Sequence, residues 1–300
     1  MNVAQRLGLP ADAKVVVPHV DDVGMSHGAN GAFLELAGRG FITCGSVMVP
    51  CPWFLEAAGM AASRPELDLG VHLTLTSEWT HYRWRPLTGA SKASGLVDDE
   101  GFMWRKAKDV CDNAVPDAIE AELRAQIETA IANGIKPSHL DCHMGTALAE
   151  PFTDTYLKLG RDYRIPVLFP RTWSNYGCGL RLPSPAEDTQ SRRIAALEAI
   201  GLPVVDKFIE TPWVPRAESD EAYDRIIEGI EPGLSFMAVH PNLSGDIEVI
   251  DPPRAHCRVD EVRIFGSSRF LDHVRASGVH LISFRDLHRI FPPERMADLH

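Results

Sequence analysis

The sequence lacks several features that would assign it at once to a common class of protein. No stretch approaches the roughly 18 consecutive apolar residues of a membrane span, and the N-terminus carries no long apolar segment of the signal-peptide kind. The six cysteines are dispersed without a C-x-x-C pair, which argues against a disulfide framework and against a cysteine zinc site. We therefore expect reduced thiols and a cytoplasmic protein.

An excess of positive charge is lacking as well. The chain has 30 Lys and Arg against 41 Asp and Glu, for a formal net charge of -11. Nucleic acids and anionic membranes select basic patches, so neither is expected as a partner. A small neutral or cationic ligand is compatible with this balance, and so is a homodimer.

What the sequence does contain is an alternation of short apolar runs with amphipathic stretches. Runs that are apolar on consecutive residues are typical of parallel strands covered on both faces. The clearest helix is predicted over 116–133, where Ile119, Leu123, Ile127 and Ile131 form one apolar stripe. The predicted strands are 14–20, 43–49, 67–75, 138–142, 166–169, 203–207, 235–239 and 279–284, and the other predicted helices are 29–38, 52–62, 153–162, 191–200, 219–228 and 262–276.

This alternation predicts an α/β protein with a single domain over residues 1–300. A (β/α) barrel, complete or irregular, is the favoured architecture, and an open doubly wound sheet is the alternative. Two stretches, 77–115 and 171–187, break the alternation and are predicted to be loop insertions. Long loops inside a compact domain often form lids or substrate walls.

Polar side chains stand at the ends of four of the apolar runs. Asp21 and Asp22 end the first run, His72 ends the apolar segment 69–72 within the third, the H-x-D-x-H segment 139–143 covers the end of the fourth, and His240 follows the seventh. Burying an unpaired carboxylate is costly, so an acidic pair suits a place where one group holds a cation and the other moves a proton. Strand ends converge on one mouth of a barrel, so we expect these groups to meet.

The residue types suit a divalent ion. Imidazole and carboxylate are good zinc ligands, and a catalytic zinc site keeps one position open for water. One carboxylate with two histidines also resembles the facial triad that iron uses, so magnesium, manganese and iron stay open beside zinc. His139, Asp141 and His143 would share one face of an extended strand. The sequence therefore predicts a hydrolase with one divalent metal ion, zinc being favoured.

Each segment alone has an ordinary structural explanation. Asp-Asp-x-Gly is also typical of turns and helix caps, and a single buried histidine is usually a hydrogen-bonded core residue. The hypothesis depends on all four segments occurring together at strand ends. The remaining histidines are predicted to be structural: His19, His27, His81, His256, His273, His280, His288 and His300.

The four segments, taken in order, resemble the YdjC-like carbohydrate deacetylases, a branch of the broader polysaccharide-deacetylase group. That family's D-D-x-G, G-x-H-L-x-L-T, H-x-D-x-H and late H-P correspond to 21–24, 70–76, 139–143 and 240–241. The resemblance extends over about 15–242. It implies a distorted (β/α) barrel and hydrolysis of an N-acetyl group on an amino sugar or a short N-acetylated oligosaccharide.

The resemblance also implies roles for individual residues. Asp22, His72 and His143 match the metal ligands, Asp21 matches the catalytic base, and His240 matches the acid that assists the leaving amine. On this mechanism, His139 and Asp141 would orient the ligands through hydrogen bonds. The sequence departs from the family pattern after His143. Many relatives have a further histidine in the continuation of this motif, whereas here Met144 follows.

The substrate side of the prediction is coarser. Trp53, Trp79 and Trp84 are candidates for stacking on a sugar face, and Met144 is a candidate substrate contact. A metal-dependent amidohydrolase acting on a non-sugar amide is the alternative function. A non-catalytic carbohydrate-binding protein on the same fold is a more distant one.

Overall fold

The fold is built on a parallel sheet, seen in a computed structural model that describes residues 1–173 and 182–299. The described strands follow the order β4-β3-β2-β1-β6-β5, and β7 pairs with the start of β1. Every described pairing is parallel, as the consecutive apolar runs predict. The strands are β1 Lys14–Val23, β2 Cys44–Val47, β3 Leu69–Leu73, β4 Leu140–Cys142, β5 Lys207–Glu210, β6 Gly233–Val239 and β7 Val279–Leu281.

Strand β1 is the centre of the sheet. On one edge it pairs with β6 along 14–20, and on the other it pairs first with β7 and then with β2. Val15, Val16, Val17 and Val20 are all fully buried or nearly so. Because β1 is covered on both faces, its position is fixed, and so is the position of the polar side chains at its end.

The outer strands of the sheet are linked by residues 166–171. Leu140 bridges to Val167 on one side of this segment, and Pro170 bridges to Val205 on the other. The parallel α/β prediction is confirmed, and the sheet is curled. The predicted strand 166–169 appears only as an isolated bridge at Val167. The predicted strand 203–207 has a bridge at Val205 and overlaps β5 only at its last residue, so a complete regular barrel is not shown. Proline has no N–H to donate to a ladder, and Pro166 and Pro203 begin the two segments while Pro170 follows the first.

Most predicted helices are present with ends shifted by a few residues. The prediction over 262–276 is wrong in its start and continuity, because two helices separated by Gly266 and Ser267 occupy the region. The helices are α1 Val3–Arg6, α2 His27–Leu36, α3 Phe54–Ser63, α4 Ala107–Asn113, α5 Pro116–Ala132, α6 Thr153–Tyr163, α7 Glu187–Ala199, α8 Ser219–Glu228, α9 Ile247–Ile250, α10 Ala255–Phe265, α11 Ser268–Ala276 and α12 Phe284–Leu287.

The stretch 77–115 is largely irregular, with one short 3₁₀ turn at Lys92–Ser94 before α4. Its Trp79, Trp84 and Met103 pack with Met25 and Met48 in a small apolar cluster. Of the second predicted insertion, 171–187, residues 174–181 lie outside the described part of the chain. No described helix has the combined length and apolar character that a bilayer crossing demands, and the described cysteines form no disulfide.

Candidate active site

The structure brings five predicted residues together at the carboxyl ends of the strands. Asp21, Asp22, His72, His143 and His240 line one cavity of about 200 Å³. They come from β1, β3, the turn after β4 and the end of β6. The convergence that the strand-end rule predicts is therefore present.

The end of β1 is distorted in a way that serves the site. Neighbouring side chains of a regular strand point to opposite faces, but Asp21 and Asp22 both line the cavity. The register with β2 shifts between Val20 and Val23, and Asp22 has a φ of 63°. Aspartate tolerates this left-handed conformation better than most residues, and such strain is concentrated at functional sites.

Asp22, His72 and His143 could hold a metal ion, with one ligand atom from each lying within 4.8 Å of the others. Asp22 Oδ1 lies 3.2 Å from His143 Nδ1 and 3.7 Å from His72 Nε2. This oxygen is buried and accepts no well-aligned hydrogen bond from any described residue. A buried carboxylate oxygen without a donor, facing two imidazole nitrogens, suits a cation of the kind the sequence predicts.

Two other groups of potential ligands meet the same distance condition, namely His19 with His139 and Asp141, and Asp21 with His72 and Asp141. In the first, His19 and His139 are completely buried and their Nε2 atoms lie 2.9 Å apart in a hydrogen bond. In the second, the Asp141 Oδ2 atom accepts from Ser46 at 2.9 Å. The group around Asp22 lines the cavity with all three of its members, so it fits a metal ion best.

His72 is oriented from behind by a polar pair. Its Nδ1 lies 3.0 Å from Asp141 Oδ2 and 3.0 Å from Ser46 Oγ. Burial opposes protonation, but Asp141 and Asp21 raise the pKa of His72. Burial likewise opposes ionisation of Asp141, and His72 nonetheless holds the pKa of Asp141 below its usual range. A carboxylate on Nδ1 fixes the tautomer that leaves Nε2 free to bind a metal.

His143 is held between two carboxylates. Its Nε2 lies 3.0 and 3.1 Å from the two oxygens of Glu78, and its Nδ1 faces Asp22. Burial lowers the pKa of His143, yet Glu78 and Asp22 together raise it to about 10. The arrangement calls for positive charge between the carboxylates, which a proton or a bound cation supplies. Glu78 belongs to the stretch 77–115 and is not among the predicted site residues.

Asp22 is also paired with a cation from the other end of the chain. Arg258 Nη1 donates to Asp22 Oδ2 at 2.8 Å, and both side chains are buried. Burial would raise the pKa of Asp22, but Arg258 and His143 hold it well below its usual range. The carboxylate therefore stays ionised, with Oδ2 bound to Arg258 and Oδ1 directed at the two histidines.

The two carboxylate oxygens of Asp21 face different regions, one the protein interior and the other the cavity. Its Oδ1 lies 2.7 Å from His19 Nδ1, while its Oδ2 lies 3.8 Å from His72 Nε2 and 3.9 Å from His240 Nε2. His19, predicted to be structural, therefore contacts a site residue directly. His139, predicted to orient the ligands, forms its hydrogen bonds with His19 and Ser138 instead.

His240 is oriented by a buried network on its far side. Its Nδ1 lies 2.7 Å from Thr211 Oγ1, and Thr211 donates to Glu261 Oε1 at 2.6 Å. Glu261 also accepts from the His240 backbone N–H at 2.7 Å and from the Tyr223 hydroxyl. Burial lowers the pKa of His240 to about 4 and raises the pKa of Glu261 to about 7. Neutral His240 thus donates from Nδ1 and presents a lone pair at Nε2.

The predicted substrate contacts divide into two groups. Trp79 and Met144 line the cavity, whereas Trp53 and Trp84 do not. Trp53 is 38 % exposed elsewhere and packs on His27. Trp84 is buried behind His143, with ring centroids 6.4 Å apart.

Other residues that line the cavity are not among the predicted site residues. Trp213 is 39 % exposed there, with its ring centroid 5.3 Å from that of His240 and 5.3 Å from the Arg254 guanidinium. Phe208 and Glu210 reach the cavity from β5. The i, i+2 spacing of this pair is a sequence signal that could have placed both on one face.

Several known proteins are similar to this chain. Residues 15–276 match the family described as "YdjC-like protein". The carbohydrate deacetylase of Thermus thermophilus is 36% identical over 250 residues, covering 81% of this chain and 83% of its own length. That of Brevibacillus brevis is 34% identical over 274 residues, covering 91% of this chain and 99% of its own.

A solved structure is similar in fold. It is a crystal structure from Enterococcus faecalis, described as that of a candidate cellobiose-phosphate cleavage protein, and it aligns with a TM-score of 0.72 at 22% identity. The alignment covers 92% of this chain and 99% of that one. The family match over residues 15–276 and the two bacterial relatives show that the chain belongs to the YdjC-like family.

Proposed function

We propose that this protein is a metal-dependent carbohydrate deacetylase that removes an N-acetyl group from an amino sugar or a short N-acetylated oligosaccharide. The observation that carries the proposal is the grouping of Asp22, His72 and His143 opposite Asp21 and His240 in one cavity. It combines a metal-binding set with two further groups able to move protons. The names of the two bacterial relatives, both carbohydrate deacetylases, support the substrate class.

The three proposed ligands would be Asp22 Oδ1, His72 Nε2 and His143 Nδ1. Zinc suits this set best, and magnesium or another divalent ion is an alternative. When bound, the ion would polarise an acetamide carbonyl and lower the pKa of a water molecule. Asp141 and Glu78 hold the two imidazoles in the orientation this requires.

Asp21 is the proposed general base. Its Oδ2 faces the cavity, while its Oδ1 accepts a hydrogen bond from His19. Oδ2 therefore takes the proton of the attacking water. General acid–base steps of this kind contribute roughly 10²–10⁴-fold to a rate.

His240 is the proposed acid for the leaving nitrogen. An amide nitrogen leaves poorly unless it is protonated, and neutral His240 must first acquire a proton at Nε2. Asp21 Oδ2, 3.9 Å away, is a carboxylate within reach of that nitrogen. The proton that Asp21 takes from water is thus available to His240, while the Nδ1 hydrogen stays bound to Thr211.

We also propose that the curled sheet functions as a distorted (β/α) barrel. The support is the linkage of β4 through residues 166–171 to Val205, just before β5. A barrel mouth explains why groups on β1, β3, β4 and β6 reach one cavity.

Elemental analysis of the purified protein, followed by acetate-release assays, tests the proposed function. The substrates are N-acetylglucosamine, its short oligomers and an N-acetylated amino acid, each with added zinc or magnesium. We expect acetate from at least one sugar and none from the amino acid. Release from the amino acid alone would favour an amidohydrolase for non-sugar amides. Sugar binding without acetate under every metal condition would favour a non-catalytic binding protein.

A further inference from the structure

Behind Asp21 lies a row of buried polar groups, of which the proposed mechanism uses only the hydrogen bond between His19 and Asp21. His19 precedes Asp21 by two residues on β1, so both side chains lie on the same face of the strand. His19 Nδ1 contacts Asp21 Oδ1 at 2.7 Å, and His19 Nε2 contacts His139 Nε2 at 2.9 Å. His139 Nδ1 lies 2.9 Å from Ser138 Oγ. Neither histidine has any exposed surface.

One assignment of protons with both imidazoles neutral satisfies every contact among these four groups. Ionised Asp21 can only accept, so a neutral His19 carries its proton on Nδ1 and presents a lone pair at Nε2. His139 then donates from Nε2 and accepts at Nδ1 from the Ser138 hydroxyl. Burial and the neighbouring His19 hold the pKa of His139 well below its usual range, so this imidazole is neutral as the assignment requires. The chain is a directed series of donors that ends on Asp21 Oδ1.

The rings of this chain are fixed by packing. His139 stacks on Phe284 with ring centroids 3.7 Å apart and an interplanar angle of 11°. His19 packs on Phe236 at 4.9 Å. A Cβ at Gly70 would lie only 2.5 Å from His139 Cε1. Gly70, the glycine of the G-V-H-L-T-L-T segment, therefore leaves the space that the His139 ring occupies.

We propose that His19 and His139 are positioning residues that keep Asp21 out of the metal site and direct its second oxygen toward the cavity. Asp21 and Asp22 are adjacent, and without a partner in the interior either carboxylate could turn to a bound cation. Arg258 and the two imidazoles engage Asp22, whereas the histidine chain engages Asp21. The hydrogen bonds of His19 and His139 thus explain how two neighbouring carboxylates take separate roles. This inference rests on the proposed function.

Two substitutions at His19 separate the hydrogen bond from the bulk of the ring. His19→Leu fills much of the same volume but removes both nitrogens, whereas His19→Asn retains an N–H donor close to the position of Nδ1. Displacement of a reacting group by about 1 Å can cost on the order of 10²-fold in rate. We expect kcat for acetate release to fall about 10²-fold in His19→Leu with KM changed less than about threefold, and His19→Asn to recover most of the loss.

A double substitution tests whether His19 acts through Asp21. In an Asp21→Asn background, His19→Leu should lower the residual rate by less than about threefold, because the interaction has already been removed. His273→Leu, at a histidine on α11 whose contacts are Asp224 and Glu228, is the control for a histidine-to-leucine change outside the site. Full kcat in His19→Leu, or an undiminished loss in the Asp21→Asn background, would overturn the proposal.

A spectroscopic measurement tests the geometry without any substrate. With ¹⁵N-histidine labelling, the imidazole N–H resonances of the wild-type protein that are protected from solvent exchange should include one from His19 Nδ1 and one from His139 Nε2, each assigned by its loss or shift in the variants. His19→Leu should remove the first and shift or expose the second, and Asp21→Asn should shift the first. Absence of both signals in the folded wild-type protein would contradict the proposed series of hydrogen bonds from Ser138 to Asp21. Their presence without acetate release would contradict the proposed function instead.

Discussion

The floor and the wall of the cavity differ in how they are built. The floor consists of Asp21, Asp22, His72, His143 and His240, all at or just beyond strand ends. The wall consists of Glu78, Trp79, Glu210, Trp213, Arg254 and Arg258, which come from the long insertion, from β5 and the loop after it, and from the region of α10.

The two regions also differ in how firmly their side chains are held. Asp22 and His72 on the floor are each 1% exposed, and both are engaged by charged partners from behind. The wall is mixed, because Arg258 and Trp79 are buried whereas Trp213 is 39 % exposed and its ring faces the Arg254 side chain. A fixed floor suits bond-breaking chemistry, while an accessible wall residue such as Trp213 suits substrate recognition. The comparison predicts that floor substitutions lower turnover and wall substitutions alter substrate affinity.

The largest effect is expected from removing a proposed metal ligand. His72→Ala deletes one of the imidazoles and leaves Asp141 and Ser46 without their buried partner, so metal binding and turnover should both fall to background. Isothermal titration with zinc, beside acetate release, measures the two losses. Tight zinc binding by folded His72→Ala would show that His72 is not a ligand.

A smaller effect is expected at Glu78, which belongs to the wall but contacts the floor. Glu78→Gln keeps the shape of the side chain and removes its charge beside His143 Nε2. Loss of a carboxylate that orients a metal-bound histidine typically costs 10–100-fold in metal affinity or activity. We expect a loss of zinc affinity in that range. An unchanged affinity would place Glu78 with the other wall residues.

Thr211 offers a test on the His240 side of the floor. Thr211→Val removes the hydroxyl between His240 and Glu261 at nearly constant volume, and Thr211→Ser restores it. The Val variant should lose about tenfold in kcat with unchanged zinc affinity, because one hydrogen bond contributes about 1 kcal/mol or somewhat more when charge is involved. The Ser variant should recover it. Equal rates in the two variants would argue against an orienting role for the hydroxyl.

The smallest of these effects should come from the wall alone. Trp213→Ala removes an accessible aromatic face, and an aromatic contact contributes about 1 kcal/mol, which is roughly fivefold in affinity. KM for the sugar should rise by about that factor with kcat nearly unchanged. Trp53→Ala, whose side chain lies outside the cavity, is the matched control. A loss confined to kcat would place Trp213 among the residues that assist the reaction.

The sequence predicted the floor far better than the wall, for a physical reason. Parallel strands bring their carboxyl ends to one edge of a sheet, so polar residues that end apolar runs can be gathered without knowing the loops. His19 was missed although its i, i+2 spacing from Asp21 places both on one face. That spacing was the available signal.

Arg258 illustrates why the wall could not be predicted. Its partner Asp22 is 236 positions away, and no periodicity links residues from different elements. The start of α10 was missed for a related reason, because Arg258, Asp260 and Glu261 are buried in it. A helix that buries charged side chains against the site does not show the apolar stripe that identifies amphipathic helices. The periodicity of apolar residues identifies helices that pack through an apolar face. It does not identify helices whose buried face is made of charged and polar side chains.

A comparison of Asp21→Asn with Asp22→Asn for zinc affinity and acetate release separates the two proposed roles, in which Asp22 binds the metal and Asp21 moves the proton. We expect Asp21→Asn to bind zinc nearly as well as the wild-type protein while losing about 10²–10⁴-fold in turnover. We expect Asp22→Asn to lose zinc binding and turnover together. Equal zinc affinities in the two variants, or near-normal turnover in Asp21→Asn, would contradict this division of roles.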